Sequence, residues 1–159
     1  MCWISKTFNP LHSKENIPIY KVLRVNNHNI LEAYFRGTIY VLNEEFRESL
    51  GYYFDPFVSR HMIDKGIHCY SDSCKFERKE GGIFVSTPAH DYDRFYMEGR
   101  ISFTDLHYRV VVVKGYIPSD TEYYINDNQE IVTTKIVLTN VLDIWSSKKI
   151  NCYWKLTYL

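Results

Sequence analysis

The sequence predicts an α+β fold: one domain spanning residues 1–159, dominated by a mixed or antiparallel sheet, with few and short helices. Three observations carry this reading. Two β-branched runs stand in the last third, Val110-Val111-Val112-Val113 leading into Gly115-Tyr116-Ile117-Pro118, and a second over residues 131–141. An early stretch, Ile17-Pro18-Ile19-Tyr20-Lys21-Val22-Leu23-Arg24-Val25, alternates with a period of two. Aromatic residues make up 16% of the chain, with Tyr the largest share at 14 residues. Tyr suits half-buried sheet positions, where the ring packs and the hydroxyl reaches a polar partner.

Taken in order, residues 1–16 read as irregular, with Asn9-Pro10 and Ser13-Lys14-Glu15-Asn16 favouring loop. Residues 17–25 form the first strand, with Ile19, Lys21, Leu23 and Val25 on one face and Tyr20, Val22 and Arg24 on the other. Both faces are mostly apolar, which places this strand centrally. Residues 26–29 are turn formers. Residues 37–42 read as strand, and Asn43-Glu44-Glu45-Phe46 has the residue types that cap and start one or two helical turns. Residues 51–56 read as an aromatic loop and 58–65 as a helical turn. A short strand is expected at 66–70, ended by Ser71-Asp72-Ser73, and another at 83–85 after Gly81-Gly82. Residues 87–93 read as polar loop and 92–100 as a short helix. The longest strand is expected at 108–117. A turn at 118–120, a strand at 121–125, a turn at 126–128 and a long strand or bent pair at 131–142 follow. Residues 151–159 alternate again and read as a final strand.

The 19 basic and 19 acidic residues cancel. No global field attracts nucleic acid or an anionic surface, so neither is an expected partner, while self-association is compatible with zero net charge. No run of 18 apolar residues suggests a membrane span, and the first residues do not read as a signal peptide. The expected location is the cytoplasm, with Cys2, Cys69, Cys74 and Cys152 as free thiols.

The chemistry-bearing residues form no strong motif. Cys69 and Cys74 with His68 and His90 lack the second tight pair of a zinc site, and on a strand His68 and Cys69 point to opposite faces. No metal is expected. No Gly-rich phosphate loop occurs, and no cofactor is expected. Removal of Met1 would expose Cys2, whose thiol and α-amine can act as nucleophile and base, with His12 or His68 as partner. His90-Asp91-Tyr92-Asp93 carries acid–base groups that more often are simply solvated. Arg24 lies on a central strand and shares a face with Tyr20. It needs an anionic partner, either an internal carboxylate or a phosphorylated ligand. Tyr20, Arg24, His68, Tyr70, Tyr123 and Tyr124 are the residues expected to line a ligand hollow.

Three segments together, Ile19-Tyr20-Lys21-Val22-Leu23-Arg24, Gly66-Ile67-His68-Cys69-Tyr70-Ser71, and residues 111–118 running through Thr121-Glu122-Tyr123-Tyr124, resemble a group of small bacterial and phage proteins. These often begin with Met-Cys, as Met1-Cys2 does here, and carry a late Ile-Pro hairpin. A weaker resemblance is to ADP-ribosyltransferase-like folds. It implies Arg24 as the early-strand anchor of a pyrophosphate, Ser71 as the mid-chain serine and Glu130 as the catalytic carboxylate. The chain departs from that pattern: no Ser-Thr-Ser follows Gly66, and Asp120 stands at the turn glycine.

The expected function is a non-enzymatic binding module that sequesters a nucleotide-like signal or a host protein in a bacterial or phage setting. An ADP-ribosyltransferase-like or NAD-cleaving enzyme is the alternative, and an N-terminal cysteine hydrolase the second. Convergence of Arg24, Ser71 and Tyr123-Tyr124 on one cleft is the structural condition for the ligand-pocket and transferase readings.

Overall fold

The computed structural model describes residues 3–4, 9–26, 28–33, 37–57, 59–79, 82–87, 90–95 and 109–142. Most of these lie in strands and none in a helix, so the expected α+β class is corrected to a mostly-β fold. The early strands are β1 (Trp3–Ile4), β2 (Leu11–His12), β3 (Ile17–Val25), β4 (Leu31–Glu32), β5 (Ile39–Tyr40) and β6 (Glu45–Arg47). The middle of the chain holds β7 (Gly51–Asp55), β8 (Arg60–Lys65), β9 (Ile67–Ser71), β10 (Lys75–Lys79), β11 (Gly82–Thr87) and β12 (His90–Phe95). The last third supplies β13 (Arg109–Ile117), β14 (Glu122–Ile125), β15 (Glu130–Thr133) and β16 (Lys135–Leu142).

Each expected helix that falls on described residues is a strand. At 43–46, Asn43 takes φ 63° as a turn residue. Its amide bonds the Leu138 carbonyl at 2.7 Å. That anchor delivers β6 to the edge of β16, and the Phe46 ring packs against Tyr40 at 4.7 Å. Burial of an aromatic ring outweighs a local capping preference worth about 1 kcal/mol. The stretches read as loop (51–56) and helical turn (58–65) hold β7 and β8, which pair with each other and leave Ile63 fully buried. Residues 92–95, the start of the last expected helix, and 90–93, read as loop, belong instead to β12, which pairs with β11. The irregular 1–16 segment contributes β1 and β2. The expected strand at 151–159 lies outside the described residues.

β3 organises the fold. One edge pairs along all nine residues with β13, from Ile17↔Ile117 to Val25↔Arg109. The other edge is shared: β9 pairs with Ile19 and Tyr20, and β4 with Arg24 and Val25. Lys21 stands at the fork between them. Its ammonium donates to the His68 carbonyl at 2.5 Å and lies 5.5 Å from the centre of the Tyr40 ring. A buried cation is tolerated there because a carbonyl and a ring face replace water.

The strand order β15-β9-β3-β13-β16 begins and ends on one continuous stretch of chain, since only Thr134 separates β15 from β16. The sheet therefore closes on itself. Thr134 marks the seam: its amide bonds the Glu122 carbonyl at 3.3 Å, and its carbonyl accepts from Glu48 at 2.9 Å. The bend also switches parity. Ile131 is buried inward from β15, but Ile136 and Leu138 are the inward residues of β16. The enclosed face is the main core, built from Ile19, Leu23, Ile67, Val111, Val113, Ile117, Ile131 and Ile136.

Two smaller sheets cover the outer face. The sheet β10-β11-β12 sets Cys74, Phe76 and Val85 against Val22, Tyr70 and Val112. The sheet β1-β8-β7 sets Ile63, with neighbouring Leu50, against Tyr124 and Val132. Among the described residues no helix is long and apolar enough to cross a membrane.

Candidate functional site: the aromatic edge of β7

The register assigns the sequence-derived site residues to two faces. Tyr70 lies opposite Tyr20 and Glu130, and His68 opposite Val132, which lies opposite Tyr124. Cross-strand partners share a face, so Tyr20, Arg24, His68, Tyr70, Tyr124 and Glu130 all belong to the outer one. Tyr123 and Ser71 point the other way. Tyr123 is half-buried against the enclosed core. Cys2 lies outside the described residues.

Sharing a face does not make these residues a pocket. Tyr20 and Tyr70 both stack edge-on against Phe76, with ring centres at 5.4 and 5.6 Å, so the β10 strand covers them. Tyr124 is fully buried, and burial pushes its phenol above the ordinary range, with Tyr52 and Glu122 adding to the rise. Arg24 donates from Nε to Glu32 Oε1 at 2.6 Å, with the two side chains 17% and 12% exposed. Of the two partners the sequence allowed for Arg24, an internal carboxylate is in place. His68 is exposed.

Arg24, Ser71 and Glu130 do not converge. Ser71 is on the enclosed face, its Oγ 2.5 Å from Ser73 Oγ and donating to Gln129 Oε1 at 3.1 Å. Glu130 accepts from Asn126 Nδ2 at 3.1 Å. It lies two strands and four residues from Arg24, roughly 16 Å by strand spacing and rise. His12 pairs with Asp120 at 2.5 Å on the surface. The neighbouring Ser13 hydroxyl is committed to the backbone, donating to Pro118 O and accepting from Thr121 N, both at 2.8 Å. The thiols are inert as nucleophiles: burial pushes Cys69 up to about 12, against a lowering by Lys21, and Cys74 up to about 11. Among the described residues no group of three or more His, Cys, Asp or Glu side chains could hold a metal ion.

What the outer surface does present is the β7–β8 hairpin. β7 pairs with β8 from Gly51↔Lys65 to Asp55↔Arg60, and it is the terminal strand of the order β1-β8-β7. Three consecutive ring residues on it are exposed: Tyr52 at 54%, Tyr53 at 41% and Phe54 at 51%. Tyr52 and Phe54 share a face with His61, which stands between them at ring distances of 5.8 and 6.0 Å. The array is rooted in the interior, because Tyr52 also meets the buried Tyr124 ring at 6.1 Å. At the hairpin tip, Asp55 Oδ1 accepts from the Phe57 amide at 2.9 Å. This Asx turn, with Pro56 setting the chain direction, leaves Phe57 97% exposed.

Such a strand is unusual. Terminal strands are normally protected by Lys, by Pro within the strand, or by a bulge along the open edge. β7 carries only Asp55, at its end, and the bulge of this pairing is Asp64 on β8, not a residue of β7. Tyr52 and Phe54 expose apolar surface on one face of β7 and Tyr53 on the other. Sequence reading passed over these residues because three adjacent aromatics break the alternation that identifies a half-buried strand. The usable signal was Tyr52-Tyr53-Phe54 followed by Asp55-Pro56, a strand-then-turn composition. Compared with known proteins, the chain matches no family model, no curated protein and no solved structure.

Proposed function

We propose that the protein is a non-enzymatic binding module whose ligand is an extended segment of another protein, taken up along β7. The observation that carries this reading is the combination, on one strand, of an edge that no other described strand pairs with and of Tyr52, Tyr53 and Phe54 exposed. Strand addition needs those two elements: main-chain donors and acceptors for affinity, and side-chain surfaces for selectivity. The Tyr52–His61–Phe54 array offers ring faces to alternate residues of an incoming strand, and Phe57 extends the apolar surface past the tip. Aromatic residues are the usual anchors of such interfaces. A host protein as the ligand accords with the resemblance to small bacterial and phage proteins. A nucleotide fits less well, because Arg24 is engaged by Glu32 and the rings of Tyr20 and Tyr70 are packed on Phe76.

The test is selection of extended peptides from a random displayed library, with the bound site mapped by amide exchange. Protection is expected at the amides of β7, and Phe54→Lys abolishes binding while leaving the circular dichroism spectrum intact. A parallel thermal-shift panel of nucleotides is expected to give no stabilisation. A nucleotide present at 100 times its dissociation constant would add about 2.7 kcal/mol, and that result would return the argument to the outer-face residues.

A further inference from the structure

We infer that the ring face of the β7–β8 hairpin, together with the neighbouring Glu122 carboxylate, is a binding site for a guanidinium group. The site is made of side chains alone, so it stands whether or not a strand adds along β7. It goes beyond the peptide-uptake reading by naming the chemistry of a ligand.

Parity sorts the hairpin into two faces. Tyr52 pairs with Ile63 and Phe54 with His61, so these side chains share one face. Ile63 is buried with Tyr124 and Val132, so this face turns towards the outer side of the main sheet. Tyr52 meets the Tyr124 ring there, yet Tyr52 and Phe54 stay 54% and 51% exposed. The face is therefore sealed at Ile63 and open beyond it. Tyr52, His61 and Phe54 form an aromatic wall, with ring centres 5.8 and 6.0 Å apart. The arginine and lysine of β8 lie on the other face, because Arg60 pairs with Asp55 and Lys65 with Gly51.

The main sheet supplies the charge. On β14, Tyr123 packs against the enclosed core and Tyr124 lies on the outer side, so Glu122 shares that side with Tyr124. Two residues apart on a strand, they stand about 7 Å apart. Glu122 is exposed. Burial raises the Tyr124 phenol, and Tyr52 and then Glu122 add to the rise, in keeping with a carboxylate and two rings in one neighbourhood. His12 stands opposite Glu122, and Asp120 engages its Nε2. The paired strands β2 and β14 carry no lysine or arginine.

Ring faces beside a carboxylate select a cation over an anion. Planarity then selects among cations. A guanidinium can lie flat on the exposed face of Tyr52 or Phe54 and turn its N–H edge to a carboxylate in two parallel hydrogen bonds. A lysine ammonium is a compact, strongly hydrated charge with no plane to stack. A quaternary ammonium is best held by a cage of rings, and this wall is one-sided.

The experiment titrates the full chain with methylguanidinium chloride, N-acetyl-arginine amide and N-acetyl-lysine amide, read by chemical shifts in nuclear magnetic resonance spectra. Arginine amide is expected to shift the resonances of Tyr52, Phe54, His61 and Glu122, and to bind about threefold more tightly than lysine amide. Phe54→Leu and Glu122→Gln are each expected to weaken it by about threefold with unchanged circular dichroism spectra, since both side chains are exposed. Added salt should weaken binding to the wild-type chain more than to Glu122→Gln. An arginine-centred pentapeptide that binds more tightly than methylguanidinium identifies a protein side chain as the source of the group, and equal affinity identifies a small guanidino compound. Unmoved resonances at these residues, lysine amide binding as tightly as arginine amide, or unaltered affinity in either variant overturns the inference. Should a variant fail to fold, the wild-type shift map and the arginine-to-lysine ratio decide. The two readings separate cleanly. Arginine binding on a chain whose β7 amides no peptide protects removes strand addition alone. Peptides that protect β7 while arginine amide moves none of these resonances remove the guanidinium site alone.

Discussion

Gly115→Ala tests the closure of the sheet. Pairing between β13 and β16 steps from Lys114↔Asn140 to Gly115↔Leu138, which leaves Thr139 as a bulge. Its hydroxyl donates to the Lys114 carbonyl at 3.2 Å. The step brings two backbones together at the glycine. An added Cβ would lie 2.2 Å from Val137 O and 2.9 Å from Leu138 Cα. A carbon and a carbonyl oxygen normally sit about 3.3–3.6 Å apart, so the backbones must separate by roughly 1 Å. Neither atom belongs to a flexible side chain, and both strands are held within the closed ring. Overpacking of this kind costs about 1–3 kcal/mol, and a rigid backbone clash places it towards the upper end. The lower entropy of the unfolded alanine chain returns about 0.4–1 kcal/mol. A net loss of about 2 kcal/mol follows. With a urea dependence of about 1–3 kcal/mol per M, the midpoint falls by about 1 M. Urea melts followed by far-ultraviolet circular dichroism measure it. Gly37→Ala is the control: Gly37 has φ +63° with nothing within 4 Å, so only backbone strain of roughly 1 kcal/mol applies. If Gly115→Ala melts with the wild-type chain, or loses no more than Gly37→Ala, the close-approach argument is wrong.

Four further outcomes are expected. Phe57→Ser leaves stability within about 0.5 kcal/mol, because the ring is 97% exposed, but weakens capture of the selected peptides. Glu32→Ala lowers stability by about 1–3 kcal/mol, since it deprives the largely buried Arg24 guanidinium of its carboxylate, and a urea melt reads the loss. The Cys69 thiol is raised from 9.0 to about 12 in the folded chain. The folded state therefore holds the proton that the unfolded state releases, so this stabilisation is complete below pH 9 and is lost as pH rises towards 12. Stability measured across that window should fall, and Cys69→Ala should reduce the slope. Peptide mapping after thiol alkylation of the native protein at pH 8 should find Cys69 and Cys74 unmodified, and modification of either would contradict their burial.

Much of the sheet was legible in the chain. The strand at 17–25 matches β3 at both ends, and its alternation sorts Ile19, Lys21, Leu23 and Val25 from Tyr20, Val22 and Arg24 as the structure does. The bent pair at 131–142 is β15 with β16. Legibility failed for short elements. β6 has three residues, too few for a period to show, so Asn43 and two glutamates read as a helix start. In β7 the adjacent rings removed the alternation, and in β8 the two exposed residues Asp64 and Lys65 follow the buried Ile63, so no clean pattern remained. Helix cues in this chain are local side-chain preferences of about 1 kcal/mol, and strand pairing with distant segments overrode them.

The sequence by itself determined which residues share a face, because successive side chains on a strand point to opposite sides whatever the strand pairs with. It also determined that Arg24 would need an anion, since a guanidinium leaving water requires one. Only the tertiary structure decided that the anion is Glu32, that Tyr20 and Tyr70 are covered by Phe76, and that Tyr52, Tyr53 and Phe54 are left in solvent. Those outcomes depend on which strands pair: Glu32 reaches Arg24 from the neighbouring β4, and Phe76 reaches Tyr20 from β10, far along the chain. Face assignment is a property of the local backbone. What covers a face is settled by which distant strand arrives there, and no local pattern in the chain encodes that.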